Sequence, residues 1–348
     1  MKPICAVELL IDKIKRDYKD DVAAVVIMGS TIYGESHARS DIDMYFIPKT
    51  DRADQLQFTF IIDGIGFDFW GISWERLERF ANWDERLIVS IITEGRALWF
   101  SSEEDKAHFE AIREKALDVS DVSKFVWKAD AKLGEAYREL YQLQKVQTLS
   151  EARMLAIGVI YKVADALALL NRVSIKRGRG KLKGEILAMP LVPADFEKLY
   201  DTAFVSNDIG EIKAAYQALL ENTQALISRE SAKAAGAPAF SEVMEGFYEE
   251  LINFYNKIYH AAEIGDAVTP LFACAEIDHE IEWAFKRAGA SRDVLPDIAG
   301  AYDPKDLSKI EKAAQEHQAA FEALLEEKAV PVRRFRDYEE LKAYLETR

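Results

Sequence analysis

Apolar residues at Val7, Leu10, Ile11 and Ile14 recur with the spacing of one helical face and predict an amphipathic helix over residues 7–17. The unbroken apolar run Val22–Met28 reads as a buried strand, and Gly29-Ser30 breaks it. After a polar stretch to Ser40, apolar residues flank Asp43 in a second strand, Ile42–Ile47, which Pro48 ends. Two further strand patterns, Gln57–Ile62 and Ile65–Ile72, meet around Asp63-Gly64, a hairpin turn signature. One helix is expected over Trp74–Ile92 from Leu77, Phe80, Leu87 and Ile91, with Ser73 a weak cap because Arg76 stands where a capping acid would, and with Gly95 closing it. A strand at Arg96–Phe100 and a helix capped by Ser101 or Ser102, with Glu103 to Asp105 in its first turn, complete an α/β unit ending near Leu117.

Beyond Leu117 the strand signals stop. Helical periodicity covers about 121–147, 150–172, 193–203 and 208–234, with breaks at Gly178, Gly180, Gly184, Pro190 and Pro193. Ala235–Phe240, with Gly236 and Pro238, is a candidate hinge before helices at about 241–264, 269–288 and 304–328, and the tail Val330–Arg348 could add a strand and a last helix. The chain therefore reads as α+β in three parts: an α/β domain over 1–117, a helical domain over 118–235 and further helices over 236–348. Those last helices could close a pocket, build a homodimer or form a separate module.

Length and composition agree with this: 348 residues, 49% hydrophobic and 30% charged, suffice for two or three domains with their own cores. Cys5 and Cys274 have no metal-ligand spacing, so neither a disulfide framework nor a zinc site is suggested. His260, His279 and His317 form no ligand pair either, and His37 in the polar turn reads as solvated rather than catalytic. The chain has no apolar run near the ~20 residues of a membrane span, and acids interrupt its N-terminus, so the expectation is a soluble cytoplasmic protein. A formal net charge of −15 argues against broad nucleic-acid binding and is compatible with a cationic small substrate.

The chemistry concentrates around Asp41-Ile42-Asp43. On a strand, residues two apart share a face, so Asp41 and Asp43 project together, about 7 Å apart by strand rise. Two such carboxylates repel unless a cation lies between them, and an oxygen-only donor set favours magnesium with substrate phosphates completing its shell. Asp68 sits inside the apolar strand Ile65–Trp70, where a buried charge would need compensation. Placed beside Asp41 and Asp43, it would complete a three-carboxylate cluster able to hold two metal ions for in-line phosphoryl displacement. Gly29-Ser30, at a strand end before a helical turn, offers backbone N–H groups and a hydroxyl to a phosphate. It is not a Walker loop, and Gly64-x-Gly66 is no dinucleotide fingerprint.

Gly29-Ser30, a ten-residue spacer, Asp41-x-Asp43 and Asp68 on a later strand resemble the signature of the DNA polymerase beta nucleotidyltransferase superfamily over about residues 22–72. The resemblance implies a mixed sheet flanked by helices, two magnesium ions held by Asp41 and Asp43, the catalytic one shared with Asp68, and Ser30 touching the triphosphate. ATP or another nucleoside triphosphate would be the co-substrate. The helical remainder is similar in architecture to the substrate-binding domains of kanamycin-type antibiotic nucleotidyltransferases. That likeness implies transfer of a nucleotide to a hydroxyl of a small, aminoglycoside-like acceptor, with a further carboxylate as base. Glu85, Asp130 and Glu135 are the candidates. The alternative is a protein or RNA acceptor, as for minimal nucleotidyltransferases paired with helical toxins.

Other features carry simpler readings beside the functional ones. Arg39 precedes the acidic pair and could contact phosphates or be a surface arginine. The basic run Lys176–Lys183 could contact the triphosphate or an acidic partner, although a solvated interhelical loop is the simpler expectation. Phe247, Tyr248, Phe254, Tyr255 and Tyr259 recur at helical spacing and read as core or interface, and Trp70 as packing or a stacking platform for a base.

Overall fold

The computed structural model describes residues 4–347 apart from 38–39, 86–87 and 235–238, so most of the hinge expected at Ala235–Phe240 lies outside the described residues. The chain divides into two compact units, Met1–Ser231 and Ala232–Arg348.

In the first unit, helix α1 (Ile4–Asp17) leads into strands β1 (Val22–Ile27), β2 (Met44–Pro48), β3 (Phe58–Ile62), β4 (Ile65–Gly71) and β5 (Arg96–Phe100). They form one mixed sheet in the order β3-β4-β2-β1-β5, parallel between β2 and β4 and antiparallel elsewhere. β1 is buried along its whole length, which is why its sequence is continuously apolar. One sheet face, with Val25, Ile27, Met44, Phe46, Phe67 and Phe69, packs against Val7, Leu10, Ile11 and Ile14 of α1. The hairpin forms as expected, with Asp63 and Gly64 both at positive φ (53° and 75°), the backbone a two-residue type I′ turn demands.

On the opposite face lie α2 (Trp74–Ala81), α3 (Ser90–Thr93) and α4 (Glu103–Leu117). Ser73 accepts the Arg76 N–H at 3.2 Å, so it caps α2 without a reciprocating acid. The single helix expected over 74–92 is broken after Ala81, because Trp83 takes a left-handed φ of 62° and buries its indole. Its Nε1 donates to the Ala116 carbonyl at 3.2 Å, and its ring meets Phe125 edge-on at 5.3 Å. Burying the largest side chain outweighs one helical turn, and a periodicity count across the segment cannot register that trade. Tyr45, fully buried on this face, donates to the Ile91 carbonyl and fixes α3 over the sheet.

The rest of this unit is helical: α5 (Val122–Lys145), α6 (Leu149–Asn171), α7 (Leu182–Leu187), α8 (Phe196–Val205) and α9 (Ile209–Ala234), whose last residues fall in the second unit. α6 is long and apolar enough to cross a bilayer by length and composition, contrary to the expectation that no segment is. Its apolarity has a local cause, since it packs along α5 and α8 and buries Ala152, Val159, Ile160, Val163 and Leu167. α7 was hidden by the surrounding glycines. Leu182 and Ile186, four apart and both buried, anchor it.

The second unit contains α10 (Phe240–Met244), α11 (Phe247–Ile264), α12 (Thr269–Ala288), α13 (Ser308–Glu327) and α14 (Tyr338–Glu346). Gly246, at φ 76°, separates α10 from α11 where one helix was expected, and the tail has its helix but no strand among the described residues. Tyr248 and Tyr255 lie in this unit's core with Ile277, Ile281, Phe285 and Phe321, and Phe247, Phe254 and Tyr259 pack against it. His317 is buried there, sharing a 2.7 Å hydrogen bond with the Tyr255 hydroxyl.

Burial, with the nearby Arg292 charge, pushes the His317 imidazole down to about 4. As pH falls below about 6.5 the unfolded chain binds this proton first, so stability is lost between there and the folded value near 4. Denaturant unfolding of the full chain should therefore show a contribution of roughly 2 kcal/mol disappearing between pH 7 and pH 5. In His317→Gln that part of the pH slope should be missing.

Candidate active site

The site begins where β1 ends. Gly29 turns the chain with φ 68° into the 3-10 turn Gly29–Thr31, and the Glu35 N–H closes the loop onto the Ser30 carbonyl at 3.1 Å. The Met28 N–H donates to the Asp43 carbonyl at 2.9 Å, carrying the β1–β2 pairing one step beyond Met44. This brings the Asp43 side chain against Gly29 so closely that a Cβ there would lie 2.0 Å from Asp43 Oδ2. Glycine is thus required twice at position 29, for its backbone conformation and for the space the carboxylate fills.

Asp41 and Asp43 lie in the segment leading into β2 and not within the strand, which begins at Met44. The buried Ile42 between them keeps the alternation, so both acids face away from α1. In the parallel pairing, Met44 is opposite Phe69 and Tyr45 opposite Trp70, so one step back brings Asp43 abreast of Asp68. The 6.2 Å contact of Tyr45 with Trp70 confirms that this row shares a face, and makes Trp70 a packing residue there. Asp68 is exposed: Phe67 and Phe69 are buried on the other face, so the strand around it is apolar without burying its charge. This corrects the expectation of a buried acid.

Asp43 is exposed as a residue, but its carboxylate lies against the Gly29 backbone; this local desolvation raises it above the ordinary carboxylate range, and the Asp41 charge adds to this, while Arg179 and Arg177 oppose it. The carboxylate is therefore under an electrostatic load that a cation relieves. Among the described residues no group of three acid, histidine or cysteine side chains converges on one metal position. Asp41 and Asp43 with phosphate oxygens nonetheless match the way a hard divalent cation is commonly held, by one or two carboxylates and its substrate, and Asp68 stands on the adjoining strand.

The basic run is solvated at Lys176, Arg179 and Lys181, as expected of an interhelical loop, but its start is anchored. Its backbone is gathered by Glu185, whose carboxylate accepts the N–H groups of Lys176, Arg177 and Gly178 at 2.6, 2.9 and 2.7 Å. It docks on the α/β layer: Ser90 donates to the Ile175 carbonyl, and Lys176 pairs with Glu94 at 2.5 Å. Arg177 pairs with Glu35 at 3.3 Å and lies 5.3 Å over the Tyr33 ring. The Tyr33 hydroxyl is bound by Glu94, which together with burial raises it well above its ordinary value. Arg179, exposed and at a positive φ of 46°, completes the cationic side. The sequence signal for these residues was the density of basic side chains; what it lacked was the docking partner.

Arg39 lies outside the described residues. Glu85 is held by Arg79 at 2.6 Å and Arg76 at 3.1 Å, and these bonds, Arg79 first, lower its carboxyl. A carboxylate so occupied is a poor proton acceptor, so the structure gives Glu85, one of three candidate bases, a structural role instead. Burial raises the Glu135 carboxyl, but hydrogen bonds from Lys132 and Lys162 outweigh this and leave it lowered. Asp130 accepts from Gln224. Next to the cationic loop, a cleft of about 330 Å³ is lined by Tyr161, Arg179, Lys183, Tyr200, Asp201 and Phe204 among others. A larger cavity of about 570 Å³ lies in the second unit and contains none of these groups.

Residues 106–233 match the family model of the KNTase C-terminal domain. No curated protein matches the chain. Among solved structures, it is similar to a nucleotidyltransferase-like protein from Exiguobacterium sibiricum, with 10% identity and a TM-score of 0.39 over 66% of this chain and 78% of that one. The domain match supports a nucleotidyltransferase of the kanamycin-type branch, and the mixed-sheet α+β architecture is the one expected for it.

Gly29→Ala tests the construction of the site. The substitution places a methyl group on Asp43 Oδ2 and a side chain at positive φ, so the fold should lose about 1–2 kcal/mol in denaturant unfolding. Nucleotidyl transfer should fall far more, by about a hundredfold or beyond, since an ångström of displacement at the reacting centre costs that much.

Proposed function

We propose that this nucleotidyltransferase moves a nucleoside monophosphate, with ATP the leading donor, onto a hydroxyl of a small molecule and releases pyrophosphate. The observation that carries the reading is the Asp43 carboxylate seated on Gly29 beside Asp41, with Asp68 on the same sheet face and Arg177 and Arg179 opposing the Asp43 charge. Acids alone would repel a triphosphate, and arginines alone would offer no place for its counter-ion; together they suit a nucleotide that arrives with a divalent cation.

In this reading the acceptor oxygen attacks the α-phosphorus, the new O–P bond forms as the bond to the bridging α–β oxygen breaks, and pyrophosphate leaves with that electron pair. The hydroxyl proton is released to solvent. Asp41, Asp43 and Asp68 would hold magnesium, which supplies charge neutralisation at the attacking and leaving oxygens. The Gly29–Thr31 turn lets the chain approach the phosphates closely, with the Ser30 hydroxyl as a donor. The arginines orient the negative end of the donor, so catalysis is chiefly electrostatic positioning. The cleft bounded by Tyr161, Tyr200 and Phe204 supports a small acceptor: its rings offer flat apolar faces to a sugar or similar body, and its volume suits one small molecule. An aminoglycoside-like cation fits the overall charge of −15.

The test is magnesium-dependent pyrophosphate release from each nucleoside triphosphate, with and without a panel of aminoglycosides and other hydroxyl compounds. Acceptor-dependent release is expected. Asp43→Asn should reduce it about a thousandfold or more, while its Tm in metal-free neutral buffer stays level or rises, because the substitution removes a carboxylate that its surroundings disfavour as a charge. Release that survives in Asp43→Asn would overturn the assignment. Silence across the panel, with incorporation of labelled nucleotide into protein or RNA, would move the acceptor to a macromolecule.

A further inference from the structure

The Arg177 guanidinium is unusual in the first unit. It is held from below by the Tyr33 ring at 5.3 Å and from one side by Glu35 at 3.3 Å, and its backbone is fixed through Glu185. Its side chain is 22% exposed, yet its Nη1 is sealed from solvent and has no acceptor among the described residues. A buried donor with no acceptor is costly and is the group most improved by an incoming oxyanion. Planar, permanently charged and with parallel donors, a guanidinium is also the side chain best matched to phosphate oxygens.

Its neighbours place it at the nucleotide end of the site. Glu35 and Tyr33 belong to the same short loop as Gly29 and Ser30, and Gly29 touches Asp43. Glu35 is the only negative group paired with Arg177 among the described ion pairs, and it is 43% exposed, so it can leave into water. Glu94, the other nearby acid, is already engaged by Lys176 and Tyr33.

We propose that Arg177 is the polyphosphate contact of this site and that Glu35 occupies it in the empty protein, so that nucleotide binding exchanges a carboxylate for a phosphate oxygen on the same guanidinium. The proposal rests on the nucleotidyl-transfer reading and adds a gate to it. Polyphosphate binds by displacing an internal competitor, the two states differ by one ion pair, and Tyr33 keeps the guanidinium in place through the exchange. Removing the competitor must then tighten binding, whereas removing the guanidinium must weaken it.

Titration calorimetry of the full-length protein with magnesium pyrophosphate and with magnesium ATP tests this. Arg177→Gln should weaken both ligands by about 10–100-fold, the value of a charge-assisted contact. Glu35→Gln should tighten both by about 2–5-fold, the worth of an exposed ion pair, and a gain in affinity cannot come from a damaged fold. With Arg177→Gln already present, Glu35→Gln should add nothing, since it acts only through that guanidinium. Unchanged affinity in Arg177→Gln, or weaker binding in Glu35→Gln, would overturn the gate while leaving nucleotidyl transfer standing. No binding of either ligand to the unaltered protein would overturn both.

Discussion

The site depends on one steric fact: the Asp43 carboxylate occupies the volume that any residue but glycine would fill at position 29. From this follow the positive φ of Gly29, the 3-10 turn after it and the bond from Met28 to the Asp43 carbonyl. The contact ties the Gly29–Thr31 turn directly to the acidic pair. It also explains why Gly-Ser and Asp-x-Asp occur together along the chain, since the first can approach the second only if a side chain is missing.

The parallel pairing of β2 with β4 adds the third acid. β3 is placed outermost, and the chain returns through its tight hairpin to lay β4 against β2. Because side chains in a parallel pair keep the same face, a register that sets Tyr45 beside Trp70 also sets Asp43 beside Asp68. The aromatic pair and the acidic pair are thus two readings of one alignment. A slip of one residue would bury Asp68 among the phenylalanines facing α1 and expose Phe67 or Phe69.

Much of this was legible beforehand because it is local. The strand runs, the Asp63-Gly64 hairpin and the shared face of Asp41 and Asp43 depend on neighbouring residues alone. What was not legible depends on partners distant in sequence. Trp83 breaks a helix because Phe125 and the Ala116 carbonyl receive its ring. Glu85 is bound by Arg76 and Arg79 because the chain turns back after that break. Asp68 looked buried because its strand is apolar, but only one face of that strand supplies the apolar character. The anchoring of the basic run was hidden because glycines interrupt it, and the same glycines let it fold over Glu185.

The charge of the whole chain hides how charge is arranged at this site. A protein carrying −15 sets Arg177 and Arg179 against the Asp43 charge, with Lys176 and Arg177 held by Glu185, Glu94 and Glu35. Acidic residues therefore take two places here: Asp41, Asp43 and Asp68 lie on one face of the sheet, and the glutamates fix positive charge near it. On the proposed reading, the second placement would reconcile a net negative chain with a polyanionic substrate, because a fixed guanidinium loses little conformational freedom when a phosphate arrives. Electrostatic attraction from the surface is then not needed for affinity. Under the proposed function, local preorganisation of the guanidinium would supply it instead.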